Sequence, residues 1–195
     1  MAIQLRCRCG KLQGEVDARR VAARAVCYCK DCQAFARFLK AGHRVLDASG
    51  GTEVEATLPA AVRFTAGLEH LACMSLSPKG LYRWYAACCN TPVGTTPRNP
   101  RMSYLGLVRT CLDAPAEELD RQLGRSHITA NRESAYGPTT ATPVAMVFAV
   151  ARIGGMLVKA RIGGGYRDNP FFDASGAPVR PPRVLTLEER SALAG

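Results

Sequence analysis

Seven of the nine cysteines in this 195-residue chain fall into three tight clusters, Cys7-x-Cys9-Gly10, Cys27-x-Cys29-x-x-Cys32 and Cys88-Cys89. No other feature restricts the fold as much. Thiolates are soft donors that suit a tetrahedral zinc ion, and a turn brings closely spaced sulfurs onto one ion. A cation also makes such thiols give up their protons at neutral pH. Two ligand pairs far apart in sequence, on turns that meet in space, cross-link a β fold much as a disulfide does. Cys7 and Cys9 need partners, and Cys88 and Cys89, at the end of a strand-like run, can supply them. Cys27, Cys29 and Cys32 have no evident fourth ligand beside them. Cys29 and Cys32 alone have the spacing of a redox dithiol, which calls for a βαβ setting that the surrounding short strands do not offer. Cys73 and Cys111 sit in apolar runs and read as small buried hydrophobes.

The N-terminal "MAIQLRCRCG" lacks the apolar run and cleavage site of a secretory signal. The expectation is therefore a cytoplasmic protein with reduced or metal-bound cysteines, since the odd, unevenly spaced set does not read as a disulfide framework. Net charge is +10, but the Arg and Lys residues are scattered without aromatic interleaving. They read as a solvated basic surface more than as a nucleic-acid face.

Organisation changes near residue 112. Before it, short strands alternate with turns. Residues 52–58 ("TEVEATL") read as an exposed strand, and 70–77, 81–87 and 104–110 as further strands, the first two of these joined by the turn "PKG". Residues 47–52 and 91–100 read as loops. After it, Asp113 is expected to cap a helix with Pro115 in its first turn and Gly124 at its end. The run 142–165 reads as a buried or packing helix interrupted by Gly154 and Gly155, too short and too charged to span a membrane. An irregular stretch anchored by Phe171 and Phe172 follows, and Thr186 with Glu189 predicts a capping box for a last short helix. The expected organisation is a β domain over 1–112 and a helical and irregular extension over 113–195 packed on it.

The order C-x-C-G, C-x-C-x-x-C-Q and a cysteine before "TP" resembles the glutathione-dependent formaldehyde-activating enzyme family, and specifically an uncharacterised branch of its superfamily. The motifs cover about residues 5–110. The resemblance implies a mainly β fold, an Mss4-like β-tent of short antiparallel strands. It implies one or two zinc ions: a structural one on Cys7 and Cys9 with a later cysteine pair, and a functional one on Cys27, Cys29 and Cys32 with its fourth position open to glutathione, another thiol or water. The family's later pair is C-x-x-C, whose first cysteine would fall here on Ala86, so Cys88 must stand in beside Cys89. Adjacent residues point apart in an extended chain, so both reaching one ion requires a bend.

The implied activity is that of a carbon–sulfur lyase acting on a thiol–aldehyde adduct. Lys30, Arg37 and Arg83 are candidate cations for an acidic thiol, and His43 and His70 candidate proton carriers, while Trp84 and Tyr85 read as core aromatics. The alternative is a non-catalytic zinc module that binds a protein or nucleic acid, its second site closed by Cys73, Cys111 or His43.

Overall fold

In the computed structural model, which describes residues 1–125 and 127–193, eleven short strands form two sheets. The strands are Ala2–Arg6 (β1), Gln13–Asp17 (β2), Ala23–Cys27 (β3), Thr52–Thr57 (β4), Val62–Ala66 (β5), Leu71–Ser75 (β6), Tyr82–Ala86 (β7), Thr91–Thr96 (β8), Leu105–Val108 (β9), His127–Ala130 (β10) and Arg183–Val184 (β11). The helices are Lys30–Phe38 (α1), Gly42–Val45 (α2), Ala116–Leu123 (α3), Pro143–Ile162 (α4) and Leu187–Ala192 (α5). The small sheet runs β1-β2-β5, and the large one runs β10-β3-β4-β9-β8-β7-β6-β11. The fold is thus β-rich. Most pairs are antiparallel, while β10 and β11 lie parallel to β3 and β6 at the two edges.

The period of two along the strands divides the large sheet's residues between two cores. Cys73, Trp84 and Leu107 share one with Ile3, Leu5 and Val16 of the small sheet. Their sequence neighbours Met74, Tyr85 and Val108 face the other, to which α1 contributes Phe35 and its C-cap residue Leu39. Phe171 plugs the first core from the C-terminal part of the chain. It is fully buried, with its ring 5.0 Å from Trp84 and 5.6 Å from Phe64. Phe171→Ala should therefore destabilise the protein by about 3–5 kcal/mol in urea unfolding. A loss below about 1 kcal/mol would mean that this stretch merely rests on the sheet.

Several elements depart from the sequence reading. Residues 91–96 are strand β8, not loop. Pro92 is tolerated because the register slips beside it, between Trp84 and Tyr85 of β7. Gly94 is needed because a Cβ there would lie 2.8 Å from Leu105 Cδ1 and 3.0 Å from the Gly106 carbonyl oxygen. β4 is not exposed: it is an inner strand, and Glu55 is fully buried. Asp113 does not cap α3, whose N-cap is Pro115. Its backbone N–H donates to the Gln4 carbonyl and its carboxylate faces Arg6 at 3.5 Å. α4 passes unbroken through Gly154 and Gly155, and it is largely exposed, burying only Ala149 and Ala160. The predicted capping box of α5 is present, with Glu189 N–H donating to Thr186 Oγ1 and Thr186 N–H to Glu189 Oε2. The last two residues of the predicted extension, 194 and 195, lie outside the described residues.

Candidate metal centres

β1 ends at Arg6, and the next six residues fold into a tight loop. Cys7 N–H donates to the Leu12 carbonyl and Gly10 N–H to the Cys7 carbonyl. Gly10, at φ +74°, supplies the left-handed turn that β-carbons disfavour. Leu12 N–H then donates to Cys7 Sγ, 3.2 Å away, and fixes where that sulfur points. A second turn follows β7. Cys89 N–H donates to the Ala86 carbonyl, and Asn90 at φ +55° reverses the chain into β8. This is the bend that an adjacent cysteine pair needs.

The two turns face each other. Cys7 Sγ lies 3.6 Å from Cys9 Sγ and 3.7 Å from Cys88 Sγ, Cys9 Sγ is 3.3 Å from Cys88 Sγ, and Cys88 Sγ is 3.9 Å from Cys89 Sγ. All four sulfurs lie within 4.8 Å of one another, a group positioned to hold a metal ion. Thr91, which the sequence did not mark, clamps the turns together. Its hydroxyl accepts from Arg8 N–H and sits 3.1 Å from Cys89 Sγ. Burial opposes charge on Cys89, but the bond from Thr91 and contacts with Cys9 and Cys7 bring its pKa down to about 6. Burial, then hydrogen bonds with Cys9 and Cys7, push Cys88 upward.

The second group stands where β3 runs into α1. Cys27 is the last residue of β3, Cys29 is the N-cap of α1, and Cys32 is in its first turn. Their sulfurs also lie within 4.8 Å of one another. Cys32 N–H donates to Cys29 Sγ at 3.3 Å, as an N-cap oxygen would accept it. Hydrogen bonds from Cys29 and then Cys32 pull Cys27 down to about 2, and the same bonds raise both donors.

The elements around this group include residues the sequence alone could not have flagged. Parallel pairing sets Cys27 beside Ala130, so the next residue of that strand's loop, Asn131, reaches back with its amide 3.3 Å from Cys27 Sγ. Gln33, buried, donates to the carbonyls of both Tyr28 and Ser134 and so holds that loop to α1. Burial, then the charge on Cys27 and Cys32, raise the Tyr104 hydroxyl above its ordinary pKa, so it keeps its proton at neutral pH. Asn131 itself sits at φ +55°, a conformation asparagine tolerates.

Other candidates fall elsewhere. Among the described residues no fourth Cys, His, Asp or Glu joins the three-cysteine group. Cys73 and Cys111 are buried thiols whose pKa desolvation pushes to about 12. His43 is exposed and hydrogen-bonded to Arg44, and His70 lies beside Glu69. Arg83 is buried over the Phe35 ring and faces Asp31 at 3.6 Å. Arg37 donates to the Leu193 carbonyl and to the Tyr136 hydroxyl. Lys30, at the start of α1, is exposed.

A family model described as "Family of unknown function (DUF6151)" matches residues 1–181. No curated protein matches the chain. Among solved structures, the chain is similar to a Rhodobacter sphaeroides protein at 18% identity and a TM-score of 0.43, over 64% of this chain and 98% of that one.

Proposed function

Because this chain belongs to the DUF6151 family, whose function is unknown, its chemistry has to be argued from its own side chains, and we propose that it is a zinc protein of the formaldehyde-activating type that joins or splits glutathione, or a similar thiol, and an aldehyde at Cys27, Cys29 and Cys32. One contrast carries the reading: the first group closes with four cysteines, whereas the second has three. The fit to zinc is close in the first group. Tetrahedral Zn–S bonds of about 2.3 Å place sulfurs about 3.8 Å apart, against the 3.3–3.9 Å found between neighbouring sulfurs here. That centre is structural.

At the three-cysteine set, zinc would supply a fourth position for a soft thiol and polarise a neighbouring carbonyl. Three thiolates outweigh the charge of the ion, so the set suits thiol exchange better than activation of water. In the addition, the thiol sulfur bonds to the carbonyl carbon and the thiol's proton passes to the carbonyl oxygen. Cleavage reverses both. Asn131 holds Cys27 in place through its amide, Cys32 N–H holds Cys29, and the neutral Tyr104 hydroxyl is the proton carrier for the carbonyl oxygen. Lys30 is the exposed cation for an acidic thiol.

The test is a glutathione titration of zinc-loaded protein followed at the zinc edge, with turnover of S-hydroxymethylglutathione measured alongside. Glutathione should add a sulfur to one of two zinc shells. Tyr104→Phe should keep the metal content and slow turnover about a hundredfold or more. An unchanged zinc shell together with no turnover would sink the reading and leave a closed binding module in its place.

A further inference from the structure

α4 is the one element whose exposure its composition does not explain. Its inner stripe is settled: Ala145, Met146 and Ala149 pack on Ala25 and Ile128 of β3 and β10. At 3.6 residues per turn, Val144, Val147, Phe148, Ala151, Gly155, Val158 and Ile162 then share the opposite face. That face is open to solvent: Phe148 is 66% exposed, Val144 69% and Ile162 83%. A soluble domain does not ordinarily present such a continuous apolar stripe without something to cover it.

The charges beside it say what that is. Arg152 and Lys159 project along one border of the stripe and Arg161 along the other, and α4 contains no acidic residue. At the helix end, Tyr166 lies between the guanidinium groups of Arg161 and Arg167, at 5.2 and 5.6 Å, and Arg101 and the exposed Met102 lie alongside Arg161 and Ile162. The acidic residues at that end are Asp168, next to Arg167, and Asp173, which lines a pocket with Arg101, Tyr166 and Arg167 and whose carboxylate is taken up by Ser175 and the Ala177 N–H. Among the described residues none of Arg101, Arg152, Lys159, Arg161 and Arg167 forms an ion pair. An apolar stripe bordered by long basic side chains, with an aromatic at its end, matches the boundary between acyl chains and anionic headgroups.

We propose that α4 seats this protein on an anionic phospholipid surface, lying in the plane of the interface with its inner stripe still packed on the sheet. Contrary to the sequence reading, the unbroken 20-residue helix is long and apolar enough to cross a bilayer by length and composition, but spanning would strip Ala145, Met146 and Ala149 from the sheet and draw Arg152 into the hydrocarbon. A second copy would find a close approach at Ala151, Gly154 and Gly155, but it would set the basic borders of two helices against each other. The inference stands apart from the metal chemistry, and neither depends on the other.

The experiment is flotation of the full chain with phosphatidylcholine vesicles, with and without phosphatidylserine, at low and high salt. Binding is expected only with phosphatidylserine and should weaken with salt. Phe148→Asp and the pair Lys159→Glu/Arg161→Glu, all at exposed positions, should each lower vesicle affinity about tenfold or more. Circular dichroism and metal content should stay unchanged in both. The proposal is overturned if wild-type protein does not float with anionic vesicles, if either variant floats as well as wild type, if the bound protein resists alkaline carbonate, or if light scattering shows a dimer that Phe148→Asp dissociates.

Discussion

Replacing Cys9 by serine should cost one bound ion and much of the fold's stability, whereas replacing Cys29 should cost one ion and little stability. The asymmetry follows from what each group ties together. The four-cysteine group joins the loop after β1 in the small sheet to the turn between β7 and β8 in the large one. Without an ion, four sulfurs at 3.3–3.9 Å would have to share protons or repel as thiolates. Structural zinc in small domains supplies on the order of 10 kcal/mol at neutral pH. Losing one ligand of four should therefore lower stability by several kcal/mol, or roughly 10–20 °C in melting temperature for a chain of this size. The Cys27 group spans one strand end and the helix that follows it, a short connection whose closure contributes less. Elemental analysis and thermal denaturation of the two variants settle the point. Equal metal loss with equal destabilisation would remove the division into a structural and an open centre.

Acid should release both ions, since each thiolate must be protonated as the metal leaves. The two groups should differ in how they do it. Hydrogen bonds from Cys29 and Cys32 hold Cys27 well below the usual thiol range, and Thr91, Cys9 and Cys7 lower Cys89 against burial.

How much of this was legible in the sequence depends on the range of the interaction that decides each feature. The cysteine clusters, the capping box of Thr186 and Glu189, and the paired phenylalanines are short-range patterns, and the structure has all of them. Residues 91–96 misled because their proline, glycine and threonines signal a loop locally. Only the neighbours of β8 show why they lie extended, with the register slipping at Pro92 and Gly94 pressed against Leu105. The adjacent Cys88 and Cys89 can face one ion only across a bend, which the sequence does not display and which Asn90 at φ +55° supplies. Asn131 and Tyr104 could not be read at all, because the strand pairing that brings Asn131 to Cys27 joins segments about a hundred residues apart. α4 failed in the other direction. Its apolar residues fit a buried helix as well as an exposed one, and composition alone does not say which face is left uncovered.

Removing Arg109 should be among the most damaging single changes outside the cysteines. Arg109, nearly buried, reaches Glu55 at 2.7 Å, Asp120 at 2.6 Å and Glu53 at 3.2 Å, and Arg24 joins Glu53 and Asp120 at 2.8 and 2.9 Å. This cluster fastens α3 to β3 and β4. Of the two charged residues in "TEVEATL", Glu53 is partly exposed, whereas Glu55 is fully buried and has one carboxylate oxygen with no hydrogen-bond partner. Arg109→Ala would strand that charge, at a cost of about 3–5 kcal/mol. Arg109→Met combined with Glu55→Gln should cost clearly less than the sum of the single changes, because neither partner is then left as a lone buried ion. The pH dependence has a definite sign. Burial holds the Glu55 carboxyl above its ordinary value of 4.5, against the pull of Arg109, and loss of the guanidinium raises it further. A folded pKa above the unfolded one means that the folded state takes up the proton first. The Arg109→Ala penalty should therefore be full at pH values above the folded pKa of Glu55 and shrink as pH falls through it. Urea unfolding of the wild type and the four variants between neutral and mildly acidic pH measures this directly, and a penalty that grows on acidification would show that Glu55 is not the charge Arg109 neutralises.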